Sequence, residues 1–302
     1  MLDEIHSNLP TMSNDQNTYV LGRIRAHNVV IACLPSGVYG TTSAATVANQ
    51  MLSTFRSIRF GLMVGIGGGV PSSEADIRLG DVVVSEPTGD FGGVVQYDFG
   101  KTVAQGVFER TGRLNSPPQI LLTAIARLQA DHMMGTSRIS DFLSQMIATY
   151  PEMSAKFTYR GREQDRLFDA ALDNTCDTSK IVKRPARDRH DPVIHYGLIA
   201  SGNQVIKHGG TRDKLGQELG ILCFEMEAAG LMDNFPCLVI RGICDYADSH
   251  ENKQWQGYAA ATAAAYAKEL LSVIHPNQVE ETLAAVSVTT SLQNHSQSIP
   301  NS

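Results

Sequence analysis

Two acids 18 positions apart carry the most distinctive chemistry in the chain. Glu227 lies inside Phe224-Glu225-Met226-Glu227-Ala228-Ala229-Gly230, and Asp245 closes the run Cys237-Leu238-Val239-Ile240-Arg241-Gly242-Ile243-Cys244-Asp245. An ionised carboxylate can accept hydrogen bonds from two neighbouring hydroxyls, and a carboxylic acid can give its proton to a leaving group. Met226, beside Glu227, offers an apolar surface of the kind that backs a sugar ring. Each acid alone has a plain structural explanation, because Glu suits the first turn of a helix and Asp caps a helix after a strand. As a pair they predict a ligand made of a sugar and a base.

Elements able to position these acids follow from the hydrophobic pattern. The apolar run from Cys237 to Ile243, bounded by Pro236 and Asp245, has the length of a buried strand, which puts Asp245 at the rim where α/β sheets bind ligands. Residues 18–24 and 28–34 read as a hairpin, 42–55 as a helix and 58–64 as the next strand, a unit that builds parallel sheets. A strand is expected over 79–85, a helix over 117–134, a strand over 195–199 and a long Ala-rich helix over 255–273. Residues 137–190 mix Arg, Asp and Gly and read as a peripheral insertion to one domain of residues 1–275. Residues 276–302 read as a flexible polar tail or linker. Gly65-Ile66-Gly67-Gly68-Gly69 directly after a strand reads as a turn whose bare N–H groups can approach a phosphate or a nucleophilic oxygen, or as a tight turn with no ligand.

Composition narrows the classes. The 302 residues are 42% hydrophobic and 19% charged, enough for a core. A net charge of -6, from 25 Lys and Arg against 31 Asp and Glu, gives no electrostatic case for binding nucleic acid. Five cysteines (Cys33, Cys176, Cys223, Cys237, Cys244) lack a C-x-x-C spacing and read as reduced residues of an intracellular, cytoplasmic protein. The amino terminus has no signal pattern, and no stretch is long enough to span a bilayer, so no membrane partner is expected. The nine histidines are scattered, with none spaced to bind a metal beside a carboxylate, and His195 reads as a core histidine. The glycine run does not match the dinucleotide fingerprint, and neither a phosphate-binding Walker pattern nor a serine-hydrolase elbow is present. No organic cofactor is expected.

The ordered motifs Gly65-Ile66-Gly67-Gly68-Gly69, Leu79-Gly80-Asp81-Val82-Val83-Val84-Ser85, Ser201-Gly202-Asn203, Phe224-Glu225-Met226-Glu227-Ala228 and Ile243-Cys244-Asp245-Tyr246-Ala247-Asp248 resemble the nucleoside phosphorylase-I superfamily. That group includes purine nucleoside and uridine phosphorylases and the methylthioadenosine/S-adenosylhomocysteine nucleosidases. Between the motifs the chain is similar to the nucleoside phosphorylase-like domains of large fungal receptor-type proteins. The resemblance implies an α/β fold of three layers, α/β/α, around a mixed, partly closed sheet. It implies cleavage of the N-glycosidic bond of a purine nucleoside or nucleotide by phosphate or water, with release of the free base. Asp245 would then protonate the base, Glu227 would hold the ribose hydroxyls, with Glu225 also at the substrate, and Met226 would lie beneath the sugar. Val205 and Asn203 would border the base, and Gly67 and Gly68 would line the nucleophile pocket.

Ile66 stands where the phosphorylases commonly carry a phosphate-binding serine, which favours water and leaves Arg78, Arg23 or Arg25 as cations for inorganic phosphate as co-substrate. A nucleotide such as ATP fits if Arg160, Arg162 or Arg187 face the ribose 5′ side. Residues 1–5 look like the end of the helix that follows the first strand of this fold, so that strand is expected to be missing. A homo-oligomer is expected, and the alternative to an enzyme is a nucleoside-binding sensor module of a larger signalling protein.

Overall fold

The computed structural model describes residues 1–170, 180–250 and 253–288. The chain lays down β1 (Glu4–Ile5), β2 (Tyr19–Ile24), β3 (His27–Ala32) and helix α1 (Thr41–Thr54), then β4 (Gly61–Gly69), β5 (Val82–Ser85) and β6 (Val94–Gln96). A ribbon of β7 (Gly100–Thr102) and β8 (Phe108–Arg110) leads to α2 (Gln119–Met133), α3 (Ile139–Thr149) and α4 (Ser154–Phe157). There follow β9 (Ile194–Ser201), α5 (Gly209–Leu219), β10 (Ile221–Glu225), β11 (Cys237–Asp245), α6 (Gln256–Val273) and α7 (Pro276–Glu281).

The main sheet runs β10-β4-β11-β5-β9-β6, and β10 also pairs with β9, so β4, β11, β5, β9 and β10 close into a barrel with β6 branching from β9. Pairing is mixed, parallel between β4 and β11 and antiparallel between β11 and β5. Side-chain alternation explains the layers. Val82, Val84, Leu238 and Ile240 meet Leu121, Ile125, Phe142, Tyr266 and Leu270 from α2, α3 and α6. Their neighbours Val83, Val239 and Ile243 join a second cluster with Ala44, Ala48 and Leu52 of α1. Strands apolar on both faces need cover on both, and the helices provide it. The alanines of α6 serve close approach, since a Cβ on Gly242 of β11 would stand 1.8 Å from the Ala259 carbonyl oxygen.

Two edges remain open or nearly so. β1, β2 and β3 form a separate sheet that no strand pairing joins to the barrel among the described residues. It hangs instead on α6 and the residue after it, through His27 Nε2 to the Ile274 carbonyl (2.9 Å) and Lys268 Nζ to Asp3 Oδ1 (2.6 Å). β4 pairs with β11 along its length but with β10 only at Gly68 and Gly69.

Three stretches differ from expectation. Residues 4–5 pair antiparallel with β2 rather than ending a helix, because Gly22 leaves room: a Cβ there would lie 2.4 Å from the Glu4 carbonyl oxygen. The glycine run is strand, not turn, and continues β4 to Gly69. Residues 139–149, within the stretch read as less regular, form α3, with Ile139 and Phe142 buried against α6. After α6 the chain forms α7 with a His275 and Gln278 capping box, and Ala285 N–H returns to the Ile58 carbonyl (2.8 Å). Cys223, Cys237 and Cys244 are buried and Cys33 is exposed. Cys176 and tail residues 289–302 lie outside the described residues.

Candidate active site

Glu225 ends β10 and builds the turn that follows. Its carboxylate accepts the Glu227 N–H at 3.1 Å and the Ala228 N–H at 3.0 Å, and Ser201 Oγ at the end of β9 accepts the Ala229 N–H at 2.9 Å. Backbone donors at the start of a helical turn need such acceptors. Arg241, in the middle of β11, reaches across with Nη2 to Glu225 and, at 3.1 Å, to Glu227. The Glu225 side chain is fully enclosed, so it supports the site from behind Glu227. Glu227 keeps a little exposure, 13% of its side chain, and Met226 beside it is half-buried. Burial pushes the Glu227 carboxyl above its usual range, the charge of Glu225 adds to this, and Arg241 opposes it.

β4 brings the second acid to the first. Gly68 is the register partner of Asp245 on one flank and of Phe224 on the other. A Cβ on Gly68 would sit 2.7 Å from Asp245 Oδ1, one on Gly67 would sit 2.7 Å from the Phe224 carbonyl oxygen, and one on Gly65 would sit 2.0 Å from Arg241 Nη1. No other residue type could occupy these positions without displacing the groups around them. Asp245 Oδ1 accepts the Ala247 N–H at 2.8 Å, and Oδ2 lies 3.1 Å from Cys244 Sγ. Ala247 has φ of 51°, a left-handed conformation uncommon for alanine, which folds the chain back to the carboxylate. The carboxyl-bearing ends of β10 and β11 therefore meet across one glycine.

The amino end of α1 closes the other side. The backbone at Gly40 favours the charged form of Glu227, and Thr41 N–H and Oγ1 donate to Asn203 Oδ1 at 3.1 and 3.0 Å. Asn203 N–H donates to Asp98 Oδ2 at 2.7 Å, and Val205, two residues on, is 48% exposed. Sequence reasoning passed over Arg241, Ser201, Asp98, Gly40 and Thr41. Only Arg241 carried a signal, because a lone charge in a buried strand must find a carboxylate.

The other arginines go elsewhere. Arg78 binds Asp76 at 2.6 Å and the Pro185 carbonyl at 2.6 Å. Arg23 pairs with Glu4 at 2.7 Å, and Arg25 sits in the β2–β3 turn. Arg187 holds Asp81 through two bonds of 2.7 and 2.8 Å, Arg160 donates to the Gln254 and Ala155 carbonyls, and Arg162 is exposed. His195 Nε2 is bonded to Asp81 at 2.9 Å.

A sequence model of the phosphorylase superfamily matches residues 2–274. The chain is 50% identical over 284 residues to a nucleotide-binding leucine-rich repeat (NLR)-like protein of Hyaloscypha variabilis; the match covers 93% of this chain but only 28% of that protein. It is 25% identical over 258 residues to a 5′-methylthioadenosine/S-adenosylhomocysteine nucleosidase of Mycobacterium bovis, covering 84% and 83% of the two chains. Among solved structures, the Helicobacter pylori 5′-methylthioadenosine/S-adenosylhomocysteine nucleosidase superposes with a TM-score of 0.55 at 15% identity, covering 90% of this chain and 89% of that one. The nucleosidase of S. pneumoniae gives 0.55 at 18% identity, with 91% and 92% covered. The chain belongs to the phosphorylase superfamily, in its nucleoside phosphorylase-I group.

Proposed function

We propose that the protein cleaves the N-glycosidic bond of a purine nucleoside or nucleotide and releases the free base. The observation that supports this reading is that β11, ending in Asp245, and β10, which leads into the Glu227 turn, both pair with Gly68. Glu227 holds the ribose hydroxyls over Met226, Asn203 and Val205 border the base, and Asp245 gives its proton to the purine N7. The bond from C1′ to the base then breaks with its electron pair leaving on the base. Charge builds on the sugar beside Glu227, and an oxygen nucleophile lodged against Gly67 and Gly68 attacks C1′, a water nucleophile losing its extra proton to solvent. Water is the favoured nucleophile: Arg78 is engaged by Asp76 and the Pro185 carbonyl, Arg23 by Glu4 and Arg241 by two carboxylates, and Arg25 sits in the β2–β3 turn.

The test is base release from a panel of nucleosides and nucleotides, with and without inorganic phosphate, followed by chromatography. Free ribose or its phosphate ester without added phosphate is the expected product, and ribose-1-phosphate would reassign the nucleophile. Asp245→Asn is expected to lower kcat by about 10²–10⁴-fold, the range for loss of a general acid. Full activity in that variant would remove Asp245 from the reaction. A second reading, a nucleoside-binding module without turnover, is favoured by the NLR-like relative, of which this chain matches only 28%. Tight binding with no product would select it.

A further inference from the structure

Asp245 and Tyr246 point to opposite sides of the end of β11. The acid reaches Gly68, while the Tyr246 hydroxyl enters a closed cluster with Asp165 and Arg184. Arg184 Nη2 lies 3.0 Å from both Asp165 oxygens and 2.7 Å from the Tyr246 hydroxyl, which itself donates to Asp165. Arg184 Nη1 also binds the Ile77 carbonyl at 2.9 Å, and its guanidinium lies 5.2 Å from the centre of the Tyr246 ring. On the main chain, Arg212 Nη1 takes the Tyr246 carbonyl at 3.0 Å. Tyr246 is 3% exposed, and Asp165 and Arg184 are little more so. Two guanidiniums thus fix the residue after the acid, one from the segment before β9 and one from α5.

We infer that the Asp165–Arg184–Tyr246 cluster is a positioning device for Asp245, clamping the strand end from the side remote from the ligand. The inference rests on the reaction proposed above. The physical argument is register. Asp245 accepts the Ala247 N–H through a left-handed turn, so its direction depends on where the three residues of that bend are held. The ring and hydroxyl of Tyr246, in the middle of the bend, are held by the Asp165–Arg184 ion pair, which is mostly buried and costly to break. Losing the hydroxyl lets the bend relax while the Asp165–Arg184 pair survives, so Tyr246→Phe is the informative change.

Steady-state kinetics of Tyr246→Phe, Asp165→Asn and the double variant test the inference. A positioning role predicts a kcat about tenfold lower in each single variant, KM within about twofold of the parent, and a double variant no slower than the worse single. A merely structural role predicts a lower melting temperature with kcat unchanged, which would overturn the inference. If the parent releases no base from any nucleoside, the reaction is wrong and a crystal structure of Tyr246→Phe judges the clamp alone. Asp245 displaced from the Ala247 N–H supports it, and Asp245 in its parental place rejects it.

Discussion

At Glu227 one side chain has two opposed obligations. In the proposed reaction it is charged to grip hydroxyls, yet burial raises its carboxyl, so the folded protein holds that proton more tightly than the unfolded chain. The group's contribution to stability is therefore complete at acid pH and fades as pH rises from the ordinary carboxyl range through the raised value. Glu227→Gln is expected to raise the melting temperature at pH 7 relative to the parent and to narrow that gap toward pH 4, while costing about 10- to 100-fold in kcat/KM through loss of a charged hydrogen bond. Calorimetry across pH and the base-release assay read the two effects separately. Glu227 and Asp245 were chosen as candidates from residue type and spacing. Arg241, which pairs with Glu227 and Glu225, carried the signal of a lone charge but was passed over, since its seven apolar or glycine neighbours in Cys237–Asp245 read as plain core.

At the level of elements, β4 shows how far local pattern reasoning reaches. Its existence was clear, but its five-residue glycine-rich end looked like a turn, because glycine is depleted in strands and common in turns. The reason it stays extended lies in other strands: Arg241 over Gly65, the Phe224 carbonyl against Gly67 and Asp245 against Gly68. Gly65→Ala is expected to cost about 1–3 kcal/mol in denaturant unfolding, as overpacking does. Gly37→Ala, at φ of 75° with open space around it, is expected to cost only the backbone penalty of about 1–2 kcal/mol and to leave activity intact. Equal losses of activity in both variants would show that the crowding at Gly65 does not matter to the site.

For the whole molecule, the main buried strands and the Ala-rich α6 were readable, because they carry their burial in composition. The three layers and the closing of the sheet came only with the family resemblance. Closure depends on β9 lying beside β10 while β10 also reaches β4, contacts that leave no periodic mark in the sequence. The division into two sheets was equally invisible, since β2 and β3 have the same alternating pattern whether or not they join the barrel. With no ladder connecting it to the barrel, the β1–β3 sheet is expected to release its amide protons well before β11 does in native-state hydrogen exchange.

Glu227, in the turn after β10, faces the backbone of Gly40, and Gly40 follows β3 after only a short loop. In the proposed complex, occupancy at the sugar therefore reaches outward along the backbone. A ligand that immobilises Glu227 is expected to restrain the first turn of α1 as well, and through it the sheet of β1, β2 and β3. Protection of β3 and α1 amides on adding a nucleoside, with those of α2 unaltered, would record that restraint as a gain in rigidity far from any atom the ligand touches.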